Sequence, residues 1–464
     1  MAIPYPHIFL ITIDALRRDF VSLYGEIPTV TPFLDSLAED SVIYENAYTS
    51  GLWTDPGVTS LYTGLHPGQH RILAGTDTQL ECRTVAEILR DQTYQTVMVG
   101  DGSGFISQKR NILKGFNHRL NTFDVKVDSP VQFLQGIGDH NWQILRGIAF
   151  YGLYGKDCRQ FYSIGRFRKF LSGHRNGPLF AHLHQWFLHS RYLIPWHKKW
   201  SFLKQRTDFD LTRHNNLIAK IRTLSYPANR PAYQYLISND FFSDDELEVV
   251  RWLYAASAHY ADYRLSRLFA WAKKAGYLDN AIWIITSDHG EMLGEHRLMS
   301  HNFSAYQEIV RVPLIIHAPG LLRPARIINQ VSHVDIAGAI LQFIGNSEIP
   351  GGRGLNILAD DFDRPENQKP VYFEDGRPSD IHQTLKNIDP DFDISPWDFA
   401  VKGVIQDRWK YVMRSSGEEL LYDLSEQPLE EANRLVDEGD IRSRLRKALM
   451  QTLGDFNGKS PVGI

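Results

Sequence analysis

The chain has 464 residues, of which 43% are hydrophobic and 22% charged, a globular composition too apolar for disorder and too mixed for a fibre. Lys plus Arg number 50 and Asp plus Glu 54, leaving a net charge of −4, so no basic excess points to nucleic acid or anionic lipid as a partner. The only two cysteines, Cys82 and Cys158, stand in no metal-binding spacing and exclude a disulfide framework.

The opening MAIPYPHIFLITID has no basic flank and no small-residue cleavage site. It reads as a buried strand and not as a secretory signal, so cytoplasmic residence is the expectation. No apolar run approaches the roughly 18–20 residues needed to span a bilayer. In chain order, parallel-type strands are predicted at HIFLITI (7–13), SVIYENA (41–47), YQTVMVG (94–100), PLFAHLH (178–184), AIWIITS (281–287) and PLIIHA (313–318). Helical patterns fall between them at 31–40, 83–92, about 245–275 and 334–345. This alternation predicts an α/β fold, a mostly parallel sheet sandwiched by helices. Segments 101–175 and 196–243 read as irregular, aromatic-rich insertions in a catalytic domain spanning 1–350. From 351 to 464 the short runs VYFE, AVKGVIQ and WKYVMRS and a charged helix near 438–453 predict a smaller C-terminal α+β subdomain.

In open α/β sheets, ligands gather beyond the carboxyl ends of the strands. Asp14 ends the first strand, and Asp288 with His289 follows AIWIITS. Two acids and an imidazole at such positions make a three-ligand divalent metal site with an open position. A lone strand-end Asp is otherwise a helix cap or turn residue. In Thr54-Asp55-Pro56-Gly57, Pro56 suits the first turn of a helix. That places Thr54 at a helix N-terminus, where backbone N–H groups attract anions. A hydroxyl there, touching a metal, serves as a nucleophile; the ordinary alternative is a capping Thr.

Histidines cluster at His182, His184 and His189, and at His289, His296 and His301. His184 and His189 suit anion binding or protonation of a leaving group. His182 and His184 share one face of a strand. His182 and His296 read as hydrogen-bonded structural residues. Gly100-Asp101-Gly102-Ser103-Gly104 lacks G-x-G-x-x-G spacing and reads as a turn.

Taken together, IFLITIDALRRDFVSLYG, TDPGVTSLYTGLHPGQH, FAHLHQWFLHSRYLIP, IITSDHGEMLGEHRLMSHNFSAYQEIVRVPLIIHAPG, VSHVDIAGAIL and RWKYVMRSSGEELLYDL resemble, in order, blocks of the sulfatase family within the alkaline phosphatase superfamily. The resemblance covers nearly the whole chain and implies an alkaline phosphatase-like fold. It implies one divalent metal ion (Mg²⁺, Mn²⁺, Ca²⁺ or Zn²⁺) held by Asp14, Thr54, Asp288 and His289. Thr54 matches the nucleophile, and His189 the histidine near the leaving group. His301 falls where members place a substrate-binding Lys or His. His184 is expected to hold a substrate oxygen, with Arg17 either a further cation or a surface salt-bridge partner.

The chain departs from the family pattern at four positions. Thr54 replaces the Cys or Ser that is oxidised to formylglycine, so no formylglycine is expected. Gly57 and Val58 replace the Ser and Arg of that motif, and Ala15 replaces a frequent second Asp. The implied activity is hydrolysis of phosphate mono- or diesters, or sulfate esters, on a small molecule, glycan or lipid. The alternatives are a sulfuric ester hydrolase without formylglycine, a phosphoethanolamine- or glycerol-phosphate-type transferase, and a catalytically weak metal-binding protein. Oligomeric state is not read from the sequence.

Overall fold

The computed structural model describes residues 5–456 except 26, 28, 101–105, 107–108, 122–161, 175–176, 190–191, 193, 206–209, 223–229, 239, 347–350, 360–361 and 427–429. Most of the insertion expected at 101–175, the glycine turn after Gly100, and Cys158 lie outside the described residues.

Fourteen strands are described. The first ten are β1 (His7–Ile13), β2 (Ser41–Tyr48), β3 (Gln95–Gly100), β4 (His118–Asn121), β5 (Leu179–Gln185), β6 (Ala281–Thr286), β7 (Met292–Leu293), β8 (Met299–Ser300), β9 (Arg311–His317) and β10 (Ala325–Ser332). Eight of these form one sheet in the order β10-β2-β9-β6-β1-β5-β3-β4. Only β9 runs antiparallel to its neighbours; the other pairings are parallel. The expected α/β architecture is therefore present.

Strand alternation divides the interior into two cores. Phe9, Ile11 and Ile13 of β1, with Trp283 and Ile285 of β6, pack on the side of the helix Asp244–Lys274. Ile8, Leu10, Phe180, Ile282 and Ile284 pack on the opposite side, against the helices Thr54–Thr63, Val85–Asp91 and His333–Phe343. A second sheet, antiparallel throughout, is formed by β11 (Val371–Asp375), β12 (Val401–Gln406), β13 (Trp409–Arg414) and β14 (Glu419–Asp423), with the helix Gly439–Leu453 packed on it. Among the described residues no helix is long and apolar enough to cross a membrane.

Three elements differ from expectation. The edge strands β4 and β10 escape the apolar-run criterion because one is four residues of HRLN and the other alternates, with Arg326 and Ile328 exposed. Segment 196–243 is not irregular: it holds the helices Trp196–Leu203, Leu211–Arg222 and Arg230–Ile237. Their few apolar anchors, Phe202, Leu203, Leu217 and Tyr235, sink into the core beside Asp244–Lys274. The polar residues between those anchors hide the helical period.

Asp262 on that long helix ties down the short helix Pro32–Ser36, accepting from the N–H groups of Phe33 and Leu34, each at 2.9 Å. Burial pushes its carboxyl up to about 7, although those two donors pull it down. The folded protein therefore holds this proton more tightly than the unfolded chain, whose value is 3.8. Stability then falls as pH rises from about 4 to 7, by at most about 4 kcal/mol from this group. Urea unfolding of Asp262→Asn should show a shallower decline across that range than the parent protein; identical slopes would refute the assignment.

Candidate metal centre and active site

Alternation carries polar residues onto one face at the carboxyl ends of three adjacent strands. Thr12 and Asp14 continue the Ile8–Leu10 face of β1, His182 and His184 the Phe180 face of β5, and Asp288 the Ile282–Ile284 face of β6. That face is the one covered by the helix Thr54–Thr63. Register places Thr12 between His184 and Thr286.

The cluster is closed to solvent. Asp14, His184, Asp288 and His289 are each 0% exposed and Thr54 is 2%. Asp288 Oδ1 accepts from Ala15 N at 3.2 Å and His289 N at 3.0 Å, while its Oδ2 has no hydrogen-bond partner. Both carboxylate oxygens of Asp14 are likewise buried without one. Ligand atoms of Asp14, His184 and Asp288 lie within 4.8 Å of one another. Two desolvated carboxylates facing each other cost several kcal/mol unless a cation joins them. The donor set, two carboxylates with imidazole and a hydroxyl, fits a divalent ion. Burial alone would raise Asp14, but His184, His189 and His289 around it hold its carboxyl below the ordinary value.

His289 Nδ1 lies 2.8 Å from the carbonyl of Gly290. Donation to that oxygen leaves Nε2 with a lone pair, the tautomer a metal ligand needs. The same Nε2 stands 3.3 Å from Thr54 Oγ1 and 3.6 Å from both Asp14 Oδ1 and Asp288 Oδ2. Thr54 opens a helix whose preceding residue, Trp53, offers no side-chain cap. Its first N–H groups therefore meet the site without a protein acceptor from that residue. Gly57 explains one departure from the family motif. A Cβ there would stand 2.6 Å from the carbonyl oxygen of Asp288, so glycine lets the helix seat directly on the metal-binding turn. Val58 is fully buried in the core, where a guanidinium would be desolvated. Ala15 takes a left-handed conformation, φ 61°, which aims its N–H at Asp288.

Beside this cluster His301 Nδ1 meets Glu291 Oε2 at 2.8 Å, and its ring lies 4.4 Å from that of His289 and 5.4 Å from that of His189. Burial lowers His301, yet Glu291, Asp14 and Asp288 outweigh it and hold the imidazole above its ordinary value. Burial prevails at His189 and pulls it below. The two rings are thus driven toward opposite charge states. A cleft open to solvent begins at His301 and runs along Trp53, Asp375 and Phe399 toward the second sheet.

Asp14, Thr54, Asp288, His289, His189 and His301 are thus brought together. Arg17 takes the salt-bridge alternative, although buried and not at the surface: its guanidinium is taken up by Asp19 at 2.6 and 2.9 Å, Glu295 at 2.9 Å and the carbonyl of Glu291 at 3.1 Å, so it braces the loop after His289. His184 lies against Asp14 and Asp288 and not out in the cleft. His182 is a buried structural residue, bonded to Thr12 at 2.8 Å and to Tyr62. His296 stacks on Tyr306 at 3.7 Å. Glu291 was missed; its position two residues after His289 carries no spacing signal.

Gly57→Ala should lower stability by about 1–3 kcal/mol through overpacking against Asp288 and weaken metal binding with it. Calorimetric unfolding and titration with Mn²⁺ check this; an unchanged variant would remove the close-approach argument.

The Sulfatase family model matches residues 6–346. A multifunctional alkaline phosphatase superfamily protein of Trinickia caryophylli, PehA, is 23% identical, the match covering 96% of this chain and 94% of its own. An arylsulfatase of Volvox carteri is 28% identical over 58% of this chain and 43% of its own length, so this chain spans less than half of that relative. Among solved structures, the phosphonate monoester hydrolase of Agrobacterium radiobacter superposes with a TM-score of 0.71 at 22% identity, covering 97% of this chain and 95% of that one. The chain belongs to the sulfatase family of ester hydrolases.

Proposed function

We propose that the protein is a metal-dependent hydrolase of phosphorus esters that uses Thr54 as its nucleophile. The observation that carries this is the position of Thr54 Oγ1, at an uncapped helix N-terminus and 3.3 Å from the lone-pair nitrogen of His289. Asp14, Asp288, His289 and Thr54 would hold the divalent ion. When bound, that ion supplies positive charge against the ester oxygens and eases loss of the Thr54 proton.

Thr54 Oγ bonds to phosphorus in line with the departing oxygen, whose P–O bond breaks. The proton that Thr54 gives up is made good at that oxygen through His189, whose neighbour His301 lines the cleft. Water then opens the Thr54 ester, releases the phosphorus acid and restores the Thr54 hydroxyl. Backbone N–H groups of Thr54 and Asp55 and the ring of His301 bear on the equatorial oxygens.

Threonine favours phosphorus over sulfur. A hydrated formylglycine sheds sulfate by collapsing to its aldehyde, whereas a Thr54 sulfate ester would need water attack at sulfur. A Thr54 phosphate ester has an ordinary hydrolytic exit. The resemblance to a phosphonate monoester hydrolase in fold, and to PehA along the chain, is in keeping with this preference.

Aryl phosphate, phosphodiester, phosphonate monoester and aryl sulfate should be assayed with Mg²⁺, Mn²⁺, Ca²⁺ and Zn²⁺. Phosphorus esters should turn over faster than the sulfate, and Thr54→Ala should lose at least about 1,000-fold in kcat. Intact mass after quenching should reveal a phosphate adduct on the parent protein and none on the variant. Turnover of sulfate alone, or full activity in Thr54→Ala, would sink the proposal.

A further inference from the structure

Ala15 stands where the family pattern frequently has a second acid, and the side chain of His184 lies beside Asp14 and Asp288. We propose that His184 coordinates the ion held by Asp14, Asp288 and His289, and that this second imidazole turns the site toward Zn²⁺ and away from Mg²⁺ and Ca²⁺. The inference rests on the metal centre described above and concerns which residues build it.

Distances carry the argument. His184 Nε2 lies 3.4 Å from Asp14 Oδ2. The other spacings in the cluster are 3.3 Å for Thr54 with His289 and 3.6 Å for His289 with each carboxylate. These exceed the usual range of N–H···O hydrogen bonds, about 2.7–3.2 Å. They match the edges of a coordination polyhedron: two ligands of a tetrahedral ion, each about 2.1 Å from it, stand about 3.4 Å apart. His184 thus joins the cluster through Asp14, with a carboxylate oxygen of Asp288 within 4.8 Å as well.

Its orientation is set from behind. His184 Nδ1 lies 2.7 Å from Thr12 Oγ1, Thr12 Oγ1 lies 2.8 Å from His182 Nε2, and His182 Nδ1 bonds the Tyr62 hydroxyl. With Nε2 given to the ion, the His184 proton sits on Nδ1 and is donated to Thr12. The Thr12 hydroxyl then donates to His182 Nε2. Outer partners of this kind fix ring orientation and tautomer at metal sites. All four side chains are fully buried, so the arrangement is rigid. Two imidazoles beside two carboxylates suit Zn²⁺ better than the oxygen-seeking Mg²⁺ and Ca²⁺.

The test is made on the full chain, loaded with Zn²⁺ and studied by X-ray absorption, which counts imidazole ligands. Two are expected in the parent protein and one in His184→Gln. Calorimetric titration of the metal-free protein should show the Zn²⁺ affinity of His184→Gln reduced by roughly 100-fold or more, beyond the 10–100-fold that loss of an outer partner costs, with a far smaller change for Mg²⁺. Stoichiometric zinc bound through a single imidazole in the parent protein would overturn this inference and leave the metal centre standing. Failure of the parent protein to bind any divalent ion would overturn both. The ligand count in the parent protein decides the matter even if the variant does not fold.

Discussion

Two carboxylates, Asp14 and Asp288, face each other in a region without solvent, and three of their four oxygens have no hydrogen-bond partner. That arrangement is unfavourable by itself, because desolvated like charges have nothing to repay their lost hydration. The surrounding structure is arranged around the problem. The Ala15 backbone is turned left-handed to give Asp288 one donor, Ser287 bonds the Ile13 carbonyl to hold the two strand ends together, and Tyr254 clasps the Ala15 carbonyl. A divalent ion converts the strain into binding energy, which makes the site a receptor for positive charge before it is anything else.

The same logic explains how much of the molecule could be read from its residues. Asp14, Thr54, Asp288 and His289 were legible because each sits at the end or start of a regular element, where an apolar run stops and a polar group begins. His184 was legible as a site residue, but not as a neighbour of Asp14 and Asp288. Period-two alternation places it on the correct face of β5, but the distance from β5 to the end of β1 is a matter of sheet order, which no local pattern records. The partners of Arg17 were hidden for a related reason. Its spacing from Asp14 suggests a nearby cation, while the acids that capture it, Asp19 and Glu295, are distant in one case and unremarked in the other. Among the elements, β4 and β10 were lost as polar edges and the helices of 196–243 as weakly amphipathic segments whose burial is decided by the long helix beneath them.

The departures from the family motif are also coupled to one another. With Ala15 in place of an acid, the cluster holds two carboxylates, Asp14 and Asp288, and the imidazole of His184 adds a donor without adding negative charge. Gly57 draws the nucleophile helix onto the Asp288 carbonyl, and Val58 gives the core an apolar residue in return for an arginine. The groups left beside the cluster are the helix N-terminus and His301, whose imidazole Glu291 holds above its ordinary value.

Holding His301 in place is where the second sheet enters the chemistry. Lys410 of β13 is buried against Glu430, at 2.6 Å, and also bonds the Ala305 carbonyl; Glu430 in turn accepts from Gln307 N at 2.6 Å. The pair therefore grips the loop that begins at His301 from both of its later turns. A buried pair of this kind contributes little net stability against an apolar equivalent, but breaking it leaves a charge stranded. It thereby specifies one loop conformation. The same loop, from His301 to Ser304, lines one side of the cleft that also holds Trp53, Asp375 and Phe399, so the Lys410–Glu430 clamp bears on the wall of the cleft from behind.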